Sequence, residues 1–205
     1  MNPLSAATSS GRGERRVRRT AAGPLLPDCV EARLIADGRV LAFGVDPVME
    51  TFERCVGLGG AGLVVRRVKL ESGLATLIVA PGDVFRDKMR RKGLFLMKRL
   101  GTGAHRRVVL ASEMTVRRQP DLDNAMTIAA AANAAVSPTD RIRVLTFLVD
   151  QGGSGTLEDC AGCMRTSPDP VASILALAAR KIVTVDIREP IGPNTSVRAM
   201  LARRR

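Results

Sequence analysis

Residues 63–73 of the chain read LVVRRVKLESG, an apolar run that carries Arg67, Val68 and Lys69 near its end. A metal-dependent nuclease site uses an acid, any residue and a lysine at that spacing. Two carboxylates hold Mg²⁺, and the lysine positions or activates the attacking water. Lys69 fits the lysine position. Arg67 stands where the acid belongs, and a guanidinium repels a cation instead of ligating it. The upstream acid would have to be Asp46 or Glu53, neither of which follows a proline, and Glu113 is a further carboxylate at the end of a later strand pattern. The same stretch also reads as an ordinary edge strand with Arg67 and Lys69 facing solvent. No metal or other cofactor is expected unless nuclease activity is retained, in which case the cation is Mg²⁺.

No other spacing builds a catalytic arrangement. His105, the single histidine, lies in GTGAHRR with no nucleophile placed beside it by sequence, and it reads as a loop cation or phosphate contact. Cys160 and Cys163 form a C-x-x-C pair, but a structural zinc site takes four ligands and no second pair exists. They read as two small apolar residues one helical turn apart. With Cys29 and Cys55 they make four cysteines in a chain long enough to fold without a disulfide framework. GLGGAG at residues 57–62 lacks the Lys-Ser/Thr ending of a phosphate loop and the G-x-G-x-x-G layout, so it reads as a loop.

The charge balance points to a partner class. The 205 residues include 32 Lys and Arg against 20 Asp and Glu, a formal net charge of +12. Such an excess steers polyanions toward the protein, and each phosphate contact releases condensed counterions. No apolar run approaches the roughly 18 residues of a membrane-spanning helix, and no segment pairs large aromatic anchors with basic residues, so a membrane is not an expected partner. Trp and Tyr are absent and the five Phe are scattered. Single strands and RNA loops are gripped by aromatic stacking, which leaves double-stranded DNA held by its backbone as the expected partner. Residues 83–118 are the strongest basic feature, with eleven Lys and Arg against three Asp and Glu. Arg90, Arg91, Lys92, Arg106, Arg107, Arg117 and Arg118 are the expected phosphate-binding surface.

The elements that would position these residues follow from patterning. Residues 1–24 contain Ser, Gly and Arg without the apolar stretch of a secretory signal, and read as a disordered basic arm; residues 201–205 form a basic tail. A cytoplasmic location is expected. Between residues 31 and 78 the pattern is strand-like: ARLIA, RVLAF after the Asp37-Gly38 turn signal, GLVVRRVKL, and ATLIVA after Ser72-Gly73. VMETFERCVGL leaves a short helix open. DVFRDKMRRKGLFLMKRLG predicts a helix interrupted near Gly93 and stopped at Gly101, and RRVVLASE a strand, so the whole makes an α/β unit.

After Pro120, DLDNAMTIAAAANAAV is helical, with Asp121 and Asp123 complementing the helix dipole, and a domain boundary falls at about residue 137. Beyond it come a helix starting at Thr139, a GGSG break, a short helix capped by Thr156, and a third with Asp169 as N-cap and Pro170 at its first position. The strand IVTVDI, the turn REPIGPNTS and a return strand at VRAML follow. This order resembles a winged helix domain over residues 138–200. The resemblance implies a third helix in the major groove and a ribbon turn on the backbone. With Val171, Ile174, Leu175 and Ala178 facing the core, however, that helix turns Ala172, Ser173, Ala176, Ala179 and Arg180 outward. Bidentate base reading, about 1–3 kcal/mol per pair, needs Arg, Lys, Asn or Gln, and alanines supply none. Arg180, Lys181, Arg188 and Arg198 are therefore expected as phosphate contacts.

Across residues 60–197 the chain resembles TnsA-like transposase endonuclease subunits, whose restriction-endonuclease-like domain of the PD-(D/E)xK type is often followed by a winged helix. The likeness is closest at the strand ending in Glu113, the run from Arg117 to Pro120, and Asn124 at a helix start. It implies an α/β fold with a small mixed sheet and flanking helices over residues 25–137, then a winged-helix domain over residues 138–200. It further implies transposase or other recombination proteins as partners; a second copy of the chain is a separate expected partner. The resulting expectation is a DNA-binding protein with an inactive nuclease fold. The alternatives are an active Mg-dependent endonuclease subunit of a transposase and a winged-helix transcriptional regulator.

Overall fold

The segment ARLIA, expected as a strand, lies inside helix α1 (Leu26–Ala36). Pro27 pre-sets the backbone of its first turn. Cys29, Val30 and Leu34 are buried at helical spacing, a period that the strand reading of five residues was too short to detect. The chain then runs through β1 (Val40–Gly44), α2 (Pro47–Cys55), β2 (Val64–Leu70) and β3 (Gly73–Ala80). It continues through α3 (Gly82–Arg86), α4 (Lys88–Gly103), β4 (Arg107–Ser112), α5 (Glu113–Val116) and α6 (Asp121–Ala131). The computed structural model describes residues 23–103 and 107–200. His105, Arg106, the 201–205 tail and all but the end of the expected basic arm lie outside the described residues.

The strands form one mixed sheet in the order β1-β2-β3-β4. The first three make an antiparallel meander, and β4 returns parallel to β3 after the α3–α4 crossover. The α/β expectation thus holds as a four-stranded sheet with helices on both faces. Side chains alternate between faces along each strand. Val64, Val68 and Val79 pack with Val30 and Leu34 of α1 and Leu122 of α6. Val65 and Ile78 point the other way, onto Met49 of α2 and Leu94 and Met97 of α4.

Helix α4 runs unbroken through Gly93 and past Gly101. Both glycines are buried contact points: a Cβ on Gly93 would lie 3.0 Å from the Val56 carbonyl oxygen, and one on Gly101 would lie 2.7 Å from Val108 Cγ2. They let α4 approach α2 and the sheet, which is why neither breaks the helix.

The remaining elements are α7 (Pro138–Asp150), β5 (Ser154–Thr156), α8 (Leu157–Gly162), α9 (Pro170–Ala179), β6 (Val183–Val185) and β7 (Ser196–Ala199). Thr156 and Asp169 cap their helices as expected, accepting from Asp159 N (3.1 Å) and Ala172 N (2.9 Å). The cap of α7 is Ser137, not Thr139, with Pro138 in the first turn. β5 completes an antiparallel three-stranded sheet ordered β5-β7-β6. It was not anticipated, because Ser-Gly-Thr has no alternation to read.

The 137 boundary is bridged. Helix α6 packs against both α1 and α9, and Ile128 belongs to the core of the second unit. Asn124, almost fully buried, donates through Nδ2 to the carbonyls of Ile187 (2.9 Å) and Glu189 (2.6 Å) and accepts from Ile191 N (3.2 Å). Lys181, at φ +60°, aims its ammonium at the carbonyls of Leu34 (3.0 Å), Ile35 and Asp37 (2.8 Å) at the end of α1.

Within the second unit Asp140 is the polar hub. Its fully buried carboxylate accepts from the Thr166 hydroxyl, Arg165 N (3.1 Å) and Thr166 N (3.2 Å), and pairs with Arg143 at 3.1 Å. The Thr166 hydroxyl and then the Arg165 amide hold its carboxyl well below the usual carboxylate range. A depressed carboxylate stabilises the fold above its unfolded pKa of about 4 and loses that contribution as pH falls toward its folded value. Asp140→Asn is expected to lower the unfolding midpoint at pH 7 and to flatten the acid limb of midpoint against pH, as read by denaturant titration between pH 2 and 7.

A carboxylate-free sheet and a candidate nucleic-acid interface

Arg67 and Lys69 lie on the α2/α4 side of the sheet, and both are exposed. Arg67 stands opposite Gly44 and Thr76, and Lys69 opposite Ala42 and Leu74. A shallow depression of about 370 Å³ beside them is lined by Ala42, Gly44, Pro47 and Leu74 and contains no acid. None of the four strands bears an Asp or Glu anywhere along its length. Arg67 and Lys69 thus face solvent, but from an inner strand: β2 pairs with β1 on one side and β3 on the other, so the edge-strand expectation is corrected.

The three candidate carboxylates are dispersed, and Asp46 and Glu113 are engaged elsewhere. Asp46 is fully buried; it caps α2 by accepting from Met49 N (3.4 Å) and accepts from the Thr76 hydroxyl of β3 at 2.7 Å. Glu53 sits half-buried on α2, where burial and then the neighbouring Glu50 push its pKa up against the pull of Arg54. Glu113 opens α5 and accepts from Arg117 Nε at 2.7 Å. Among the described residues no group of three or more His, Cys, Asp and Glu is placed to hold a metal ion. Among the described residues these donors do not fit a Mg²⁺ centre.

The expected phosphate-binding surface divides. Arg107 begins β4 opposite Ala75, beside Ser72 (3.3 Å), whereas Ser112 stands opposite Ala80 at the far end of the same strand pair. Arg117 and Arg118 follow that far end. Arg117 is taken up by Glu113 and by Cys29 Sγ (3.6 Å); Arg118 is exposed. Arg90 pairs with Asp83 at 3.0 Å. In the second unit Arg180 Nη2 donates to the carbonyls of Ala132 (3.3 Å) and Ala134 (2.8 Å), and Lys181 is committed to α1. Arg188 is forked onto Asp186 but remains 82% exposed.

Arg91 and Lys92 do share a surface, with Lys88, Lys98 and Arg99, three cations outside the expected set. Their signal was the helical period: Gly93, Leu94, Met97 and Gly101 turn inward, so residues 88, 91, 92, 95, 98 and 99 turn outward. All five cations are exposed, and among the described residues none takes part in an ion pair. At 1.5 Å per residue the helix spans about 24 Å.

Helix α9 corrects a second expectation. Ser173 and Ala176, expected to face outward, are 2% and 0% exposed, every residue from Ser173 to Ala178 is buried, and Val171, expected in the core, is 42% exposed. Helix α9 packs against α6 and α8, and of the expected outward face only Ala172 and Ala179, half-buried, and Arg180, exposed, remain at the surface.

The Asp46–Thr76 contact gives a direct stability test. Thr76→Val removes a hydrogen bond to a buried carboxylate and should cost about 1.5–3 kcal/mol, while Lys69→Ala should stay within about 0.5 kcal/mol of wild type, as surface changes do; urea denaturation measures both. No protein-family model and no curated protein matches the chain.

Proposed function

We propose that the chain is a DNA-binding protein that holds duplex DNA by its backbone and does not cut it. The exposed cation row of α4 carries this reading. Lys88, Arg91, Lys92, Lys98 and Arg99 are exposed and take part in no ion pair among the described residues, in a chain of net charge +12. Unneutralised cations along one rigid rod match the regular spacing of backbone phosphates and bring no base discrimination with them. The carboxylate-free strands argue against hydrolysis on the same scaffold.

The mixed sheet flanked by helices is the architecture the TnsA likeness implies. The helix, strand, helix, helix, strand, strand order of residues 138–199, with the last strand central in its sheet, supports the winged-helix reading of the second unit. The burial of α9 argues against a regulator that reads an operator through that helix. In this reading the protein is the DNA-holding member of a mobile-element or recombination complex, and Arg188, Arg198 and Arg118 add peripheral phosphate contacts.

Fluorescence anisotropy with a random duplex across a salt series tests the proposal. With about 6 to 10 phosphates neutralised, affinity should fall about 10³- to 10⁵-fold between 50 and 200 mM salt. Arg91→Glu with Lys92→Glu should weaken binding equally for unrelated sequences and reduce the slope by about 2, with the duplex intact in Mg²⁺. Unchanged affinity in that variant would remove α4 from the interface.

A further inference from the structure

The junction of the two units forms a cleft of about 840 Å³ that is open to solvent, within the roughly 300–1,000 Å³ of small-molecule sites. It lies on the α1 side of the four-stranded sheet, away from α4. Gly38 makes it possible: a Cβ there would lie 2.3 Å from Thr184 Cγ2, so the turn after α1 comes into direct contact with β6.

Two rims of the cleft carry the same device. At one, Asp37 Oδ1 accepts from Arg39 N and Nε, both at 3.0 Å, and Oδ2 accepts from Arg39 Nη2 at 2.8 Å. At the other, Asp186 Oδ1 accepts from Arg188 N (3.1 Å) and Nε (3.0 Å), and Oδ2 accepts from Arg188 Nη2. Each aspartate thus fixes the plane of the arginine two residues on and leaves Nη1 without a hydrogen-bond partner among the described residues. The arginine side chains are 85% and 82% exposed. Exposed pairs of this kind add little to stability, so fold stability does not explain the presence of two. A guanidinium already held in plane loses less freedom when it binds a phosphate oxygen.

Arg198 adds an exposed cation with no ion pair among the described residues, on the strand position opposite Thr184. Its field, after the hydrogen bonds from Arg188, contributes to holding Asp186 down to about 2, which keeps the second fork closed at any ordinary pH. Arg33, the fourth arginine of the lining, is committed at 3.0 Å to Asp121. Between the rims the floor is apolar, with Leu34, Leu77, Val116 and Ile187. Cations around an apolar floor suit a ligand with an anionic head and a flat, weakly polar body.

We propose that this cleft binds a mononucleotide with at least two phosphates, its phosphoryl oxygens on Arg39, Arg188 and Arg198 and its base on the floor. The site is separate from the α4 surface and goes beyond the DNA-holding reading, with whose peripheral contacts it shares Arg188 and Arg198.

Isothermal titration of the full chain with ADP and with pyrophosphate, at 150 mM salt without Mg²⁺, tests it. ADP should bind saturably at one site, and pyrophosphate, which lacks the body, about tenfold more weakly, the worth of roughly 1.4 kcal/mol of floor contact. Arg39→Ala and Arg198→Ala should each weaken ADP about tenfold, the loss of one charge-assisted hydrogen bond, with thermal unfolding unchanged because both side chains are exposed. Arg91→Glu with Lys92→Glu should leave ADP binding intact. Absence of saturable heat, unchanged binding in the Arg39→Ala/Arg198→Ala double variant, equal affinity for pyrophosphate, or a parallel loss in the α4 variant would each overturn the proposal.

Discussion

The ammonium of Lys181 sits among the carbonyls of Leu34, Ile35 and Asp37, and the two units of the chain meet around it. The last carbonyls of a helix have no partner within the helix, and a cation there also meets the negative end of the dipole. Burial lowers the pKa of Lys181 to about 8 while Asp37 pulls the other way, so at neutral pH the charge is retained. Reaching the end of α1 requires Lys181 to adopt a left-handed backbone immediately after α9. That turn lays α9 beside α1 and α6, and Asn124 then fastens the 187–191 turn to α6 from the other side. Three features follow from this single docking: α9 is covered, the cleft exists, and cations counted as phosphate contacts in the sequence become structural.

The sheet follows a different logic. Val64 to Leu70 alternates so that Val64 and Val68 enter one core and Val65 the other, while Arg67 and Lys69 take the positions beyond the reach of α2 and α4. Arg66 points to the α1 face and pairs with Glu31 at 2.8 Å. The basic residues of β2 are thus disposed by period two, and none of the four strands brings a carboxylate beside Lys69. Asp46, a buried carboxylate near the sheet, is engaged by the first turn of α2 and by Thr76.

Where local rules act alone, the sequence was legible. Thr156 and Asp169 cap their helices, Asp37-Gly38 and Ser72-Gly73 turn the chain, and β2, β3 and β4 sit where apolar runs place them. Legibility failed where tertiary contact decides. ARLIA is helical because Cys29, Val30 and Leu34 cover the sheet; Gly93 stays helical because α2 lies against it; Ser-Gly-Thr is a strand because β7 pairs with it. For the site, Arg91 and Lys92 were legible from charge and Lys88, Lys98 and Arg99 from period. The commitment of Arg180 and Lys181 was not, since their acceptors are backbone carbonyls more than 40 residues away in the chain.

The five lysines of the chain allow one experiment to examine the whole arrangement. Brief acetylation of the full chain, free and saturated with a random duplex, followed by mass spectrometry at each lysine, reads which ammonium groups the DNA covers. The account predicts that Lys88, Lys92 and Lys98 are reactive when free and protected by the duplex, that Lys69 is reactive in both states, and that Lys181 is slow in both. Protection of Lys69 with Lys88, Lys92 and Lys98 unchanged, or a Lys181 that reacts freely until DNA is added, would contradict it.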